Sequence, residues 1–164
     1  MQLLNSYWII YASFFCCLLA AIFPLPIYLN AFRPDWMILI IFYWVLAVPH
    51  RVCTGHAFVL GVLLDLLLGS TLGMHAILFS LLAYIVALNY QRFRYFPIVQ
   101  TTFIVGICIL VAKLALYWMA SSLSSSPYEI VLHHHYFWSI FISMLIWPWF
   151  FLFMRFIRIR YKVT

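Results

Sequence analysis

From Met1 to Phe32 the chain carries no charged side chain, and between Arg94 and Arg155 it carries only Lys113 and Glu129. Uncharged runs of this length have few ways to fold. A water-soluble helix or sheet buries one apolar face and needs polar residues for the other, and these runs hold almost none. Only 7% of the 164 residues are charged, against about 25% in an ordinary soluble domain. With a mean hydropathy of +1.11, the solvent for most of the surface is lipid. That excludes a soluble enzyme, a nucleic-acid-binding domain and a disordered chain. The net charge of +6 becomes a statement about membrane orientation, because basic residues gather on one side of a bilayer.

Crossing a hydrocarbon core of roughly 30 Å takes a helix of about 20 apolar residues. Charge, Pro and Ser clusters divide the chain into candidate spans Tyr7–Leu29, Trp36–Val48, Val52–Leu68, Gly73–Leu88, Ile98–Ala120 and Tyr136–Met154. Strand-type alternation is absent, and helices satisfy their own backbone in lipid. The expected fold is therefore an all-α integral membrane protein, a compact bundle of about six transmembrane helices in a single polytopic domain over residues 1–164. The second span is short, at roughly 20 Å of helix. Trp36–Leu68 as one helix would run roughly 50 Å, and Pro49-His50-Arg51 interrupts it, so two helices and a tight turn fit better. A re-entrant second helix, with five spans in all, is the alternative. The first span lacks the basic start of a cleaved signal and reads as an anchor, with Pro24 and Pro26 kinking or ending it.

Charge orients the bundle. Placing the short basic tail, residues 155–164, in the cytoplasm brings the N-terminus, the Pro49–Arg51 turn and the Asn89–Pro97 loop to the same side. Arg51, Arg92, Arg94, Arg155, Arg158, Arg160 and Lys162 are then inside, and only Arg33 lies in an outer loop. This asymmetry follows the positive-inside rule, with both termini cytoplasmic. Arg155, Arg158 and Lys162 share a helical face and are candidates for contact with anionic lipid. Cys16, Cys17, Cys53 and Cys108 form no metal or disulfide pattern and read as small apolar packing residues.

Few residues promise chemistry. Asp65 is the most informative, since an acid within a membrane helix is expensive and usually functional. It stands in a row of small residues at four-residue spacing, with Gly61, Gly69 and Gly73, which allows another helix close approach. Asp65 either reaches the interface and caps the next turn, or makes a buried polar contact. Lys113 lies at a similar depth, so an Asp65–Lys113 pair is one form of that contact, with snorkelling of Lys113 to headgroups the alternative. His133, His134 and His135 are consecutive and cannot all face one ion, so they read as an outer loop and no metal is expected. Gly69-Ser70-Thr71 lacks the context of a nucleophile, and no phosphate or dinucleotide fingerprint occurs. No enzyme and no cofactor are expected.

Phe32-Arg33-Pro34-Asp35-Trp36 opens an apolar helix, followed by Tyr43-Trp44, Pro49-His50-Arg51, and Asp65-Leu66 with Gly69-Ser70-Thr71-Leu72-Gly73. This series, with Trp147-Pro148-Trp149 and the basic tail, resembles the rod shape-determining membrane proteins of the MreD family over nearly the whole chain. The resemblance implies a non-enzymatic inner-membrane scaffold subunit of the cell-elongation machinery of rod-shaped bacteria. It implies association with the bitopic protein MreC and, with the actin-like MreB, organisation of the glycosyltransferase and transpeptidase that build the side wall. Arg33 and Asp35 of the motif join Gly61, Asp65, Gly69 and Gly73 as candidates for helix packing or partner binding. The family also looks like the six-helix substrate-binding subunits of vitamin transporters. The alternative function is therefore a small-ligand-binding membrane subunit of a transporter, although such pockets need a few fixed polar groups.

Overall fold

The computed structural model describes residues 2–23, 33–49, 52–123 and 134–161, and every regular element among them is helical. In chain order these are α1 Gln2–Ile22, α2 Trp36–Ala47, α3 Thr54–Leu68, α4 Met74–Leu88, α5 Tyr90–Tyr95, α6 Ile98–Leu123 and α7 His134–Arg160. Local chemistry sets the breaks. Gly69 ends α3 in the left-handed region at φ 64°, where a glycine carries no Cβ penalty. Pro97 cannot extend α5; it opens α6 instead, and its carbonyl accepts the Thr101 N–H at 3.2 Å.

The short second helix proves to be the centre of the fold. Every residue of α2 from Met37 to Leu46 is buried. A helix that is apolar all round belongs inside, and α1, α4, α5, α6 and α7 all pack against it. Phe42 meets Trp147 of α7 edge-on at 5.3 Å, and Tyr43 meets Phe151 at 5.6 Å. The buried Trp44 indole donates to Ser13 Oγ of α1 at 2.8 Å. A length of roughly 18 Å therefore suffices, because protein meets both ends of the helix. At one end the Asp35 N–H donates to Ser143 Oγ at 3.1 Å, and at the other Arg158 donates to the Ala47 carbonyl at 3.5 Å.

α3 stands outside this centre, packed most closely on α4 and also on α1. Ile98–Met119 of α6 and Trp138–Arg160 of α7 are long and apolar enough to cross a bilayer, whereas Tyr7–Ile22, Trp36–Ala47, Thr54–Leu68 and Met74–Leu88 are shorter apolar helices. Large side chains face outward: Trp118 and Trp149 are each 77% exposed, and Ile107 and Leu145 are also open.

Several boundaries differ from expectation: α1 starts at Gln2 rather than Tyr7 and ends at Ile22, and α6 continues to Leu123 rather than Ala120. Tyr90–Tyr95 is a helical turn within the stretch read as a loop. His134 and His135 open α7 rather than remain in a loop, and α7 continues through Arg160. The basic residues Arg155, Arg158 and Arg160 thus belong to the end of a helix, where cations complement the dipole. Pro24, Pro26, His50, Arg51, Glu129, His133 and Lys162 lie outside the described residues.

Candidate functional site

Two polar nodes hold both acids among the described residues. The first is built on the hairpin of α3 and α4. Asp65, one turn before the end of α3, is fully buried. Its carboxylate accepts from Ser70 Oγ at 2.8 Å, the Gly73 N–H at 2.9 Å and the His75 N–H at 3.3 Å, and the His75 ring approaches from Nδ1 at 2.5 Å. The first N–H groups of a helix have no partner within it, and the dipole there favours negative charge. Asp65 therefore caps α4 from the preceding helix.

Gly61 makes that reach possible. A Cβ at Gly61 would overlap Ala76 Cα and N, so the backbones of α3 and α4 touch one turn below the carboxylate. Gly69 and Gly73 act differently. An added Cβ would meet nothing within 4 Å at either, and both hold positive φ, 64° and 99°. The expected ridge through Gly61, Asp65, Gly69 and Gly73 is thus a close contact at Gly61 and a tight turn beyond Asp65.

The second node joins the start of α2 to α6 and α7. Lys113 Nζ lies 3.1 Å from Asp35 Oδ2 and donates to Ser139 Oγ at 2.9 Å. Ser139 Oγ donates to the Arg33 carbonyl at 2.7 Å and lies 3.2 Å from Asp35 Oδ2. Ser143 Oγ donates to the Ser139 carbonyl at 2.8 Å while receiving the Asp35 N–H. Arg33 reaches back to the Ala20 carbonyl of α1 at 3.3 Å. The Asp65–Lys113 pair, one of the two readings offered for that lysine, does not form: Lys113 belongs to Asp35, and the Asp65 oxygens are filled by donors from its own turn and the start of α4. The reason is reach, since a five-residue turn brings donors to Asp65 sooner than any neighbouring helix can.

Ser70 and His75, within ten residues of Asp65, were discoverable as local donors. Ser139 and Ser143 were not, because nothing in an α7 serine one turn from another announces Asp35 as its partner. No group of three or more His, Cys, Asp or Glu suited to a metal occurs among the described residues. An apolar groove of about 770 Å³ runs between α1 and α3, lined by Tyr11, Phe15, Leu18, Val59, Leu63 and Leu67 among others. His56 at its rim lies 3.3 Å from the Tyr11 hydroxyl and 3.4 Å from Cys53 Sγ.

The family described as rod shape-determining protein MreD matches residues 3–157. A protein of Haemophilus influenzae named rod shape-determining protein MreD is 35% identical over 157 residues, covering 95% of this chain and 94% of that protein. No solved structure matches.

Proposed function

This chain belongs to the MreD family of rod shape-determining membrane proteins, and from that premise we propose that it is a non-enzymatic scaffold subunit of the cell-elongation machinery in the inner membrane. A role in rod-shape determination comes with the family. The finer reading is that the chain binds a single membrane helix of MreC. Through that contact, and with MreB, it helps position the wall-building glycosyltransferase and transpeptidase. It crosses the membrane six times with both termini cytoplasmic, an arrangement supported by the asymmetry of its basic residues.

The observation that carries the partner reading is the groove between α1 and α3. It is long, apolar and open, with Phe15, Val59, Leu63 and Leu67 exposed along it. In lipid, helices associate through van der Waals fit and a few polar contacts rather than through hydrophobic expulsion. A concave face with one polar rim, Tyr11–His56–Cys53, offers a passing helix both. Gly61, Asp65, Gly69 and Gly73 act on this partner indirectly, by fixing α3 on α4, and Arg33 by its bond to α1, while Asp35 braces the central α2 behind the seat.

The test is co-purification in mild detergent with tagged MreC. Wild-type chain is expected to retain MreC. Val59→Trp and Leu63→Trp, which fill the groove, are expected to lose it and to give round cells at normal abundance. Leu145→Trp on α7, outside the groove, is expected to retain it. Equal retention in all three variants rejects the groove as the seat, and absence of MreC from the wild-type preparation rejects the partner.

A further inference from the structure

At the opposite end of α2 from Asp35 lies a second cavity, of about 340 Å³, within the range of roughly 300–1,000 Å³ usual for small-ligand sites. Arg94, Arg155 and Arg158 line it together with Tyr43, Trp147 and Phe151, and no carboxylate does. We propose that this cavity binds a phosphate-bearing anion, either the headgroup of an anionic phospholipid or free phosphate.

Charge is the first argument. Arginine stays protonated in proteins, so three positive charges share one small space. Both acids among the described residues are at the far end of the bundle, Asp35 with Lys113 and Asp65 with His75. Among the described residues no carboxylate lies beside these arginines to balance them. Arg158 also donates to the Ala47 carbonyl and so shields the negative end of α2, which would otherwise repel an anion.

Hydrogen bonding is the second argument, and it is independent. Tyr43 and Trp147 are 1% and 0% exposed, yet the Tyr43 hydroxyl and the Trp147 indole N–H have no hydrogen-bond partner. The Arg158 guanidinium lies close to the Tyr43 hydroxyl. Buried polar groups are nearly always paired, and in a membrane an unpaired one is costlier still. An indole N–H can only donate, and a guanidinium can only donate. The donors that face the cavity are guanidinium groups, so a ligand held there must be rich in acceptors and negative. Phosphate oxygens meet both demands and suit the paired N–H groups of arginine. A cationic or neutral ligand would leave the arginines uncompensated. The flanking Phe151 and Ile159 offer apolar surface to the acyl chains of a phospholipid.

The site goes beyond the scaffold reading and does not rest on it; failure of the MreC experiment would leave it standing. The test uses the full chain in nanodiscs of phosphatidylcholine, with or without phosphatidylglycerol, with native mass spectrometry of the released complex. Wild type is expected to retain phosphatidylglycerol over phosphatidylcholine, and Arg94→Gln with Arg155→Gln to lower that retention by about tenfold. Arg92→Gln with Arg160→Gln changes the same charge outside the cavity and is expected to retain it. Phosphatidylglycerol that resists excess inorganic phosphate identifies the lipid headgroup as the source. A phosphate-mass adduct in discs of phosphatidylcholine alone identifies the free ion. Equal losses in the two double variants, or equal retention of the two lipids with no phosphate adduct, overturn the site. If the cavity double variant fails to accumulate, Arg155→Gln alone gives the same reading: weaker retention supports the site, and unchanged retention overturns it.

Discussion

A single missing Cβ sets the closest approach between two helices. Gly61 lets the backbone of α3 rest on that of α4 at Ala76, and this contact brings Asp65 within reach of the α4 N-terminus. Val at Gly61 has no flexible neighbour to push aside, since the obstacle is backbone. Gly61→Val is expected to lower accumulated protein severely, whereas Gly55→Ala, whose Cβ would lie 3.7 Å from Cys53 Sγ in ordinary contact, is expected to leave it unchanged; immunoblots of membrane fractions check both. Asp65→Asn leaves one acceptor oxygen for the donors of Ser70, Gly73 and His75. With each unsatisfied donor costing about 1–3 kcal/mol, a clear drop in detergent melting temperature is expected. At the other node, Lys113→Met alone strands Asp35, and Lys113→Met with Asp35→Asn is expected to recover much of the lost stability. The pair Lys113→Met with Asp65→Asn is expected to be worse than either change alone, because the two residues serve different nodes.

The hairpin of α3 and α4 shows how an element changes the meaning of a spacing. Four-residue intervals place residues on one ridge only while the helix continues. Gly61 and Asp65 obey that rule; Gly69 ends the helix, so Gly69 and Gly73 leave the ridge and make the turn. The break after Leu68 was visible in the sequence as a cluster of Gly, Ser and Thr. The role of each glycine was not, because ridge and turn call for the same residue. The two roles predict different failures. Gly69→Ala is expected to cost about 1 kcal/mol through the left-handed backbone alone, and Gly69→Asn less, since Asn tolerates that region. Both should retain the α3–α4 packing, read as unchanged crosslinking between cysteines placed at Val62 and Ile77. The end of α7 carries the same lesson. Arg155 and Arg158 were legible as basic residues on one helical face after an apolar run, but only the packing of α7 carries Arg158 to the Ala47 carbonyl of α2.

At the scale of the molecule, the described residues form six apolar helices and one short basic turn, with a connectivity that puts Asp35, Asp65 and Lys113 near one end and the lining arginines near the other. If the basic end is cytoplasmic, a cysteine at Gln91 is shielded from an impermeant thiol reagent in intact cells, and one at Leu72, which is 67% exposed in the α3–α4 turn, is labelled once the periplasm is accessible. The background replaces Cys16, Cys17, Cys53 and Cys108. Labelling of Gln91→Cys but not Leu72→Cys reverses the orientation, and labelling of both breaks the six-span count.

Lipid as the solvent, helix as the element and the approximate helix limits were all determined by the sequence alone. Apolar run length and the placing of Pro, Gly and charge act locally and need no partner. The cap on α4 was nearly as local, since every donor to Asp65 lies within ten residues of it. Which helix occupies the centre, and which cation Asp35 holds, only the tertiary structure decided. α2 is uniformly apolar and shows no periodicity to say what surrounds it. The Asp35–Lys113 contact joins residues far apart in sequence, and only the packing of α2, α6 and α7 brings them together; chemistry made Asp65 an equally good partner for that lysine, and distance chose between them.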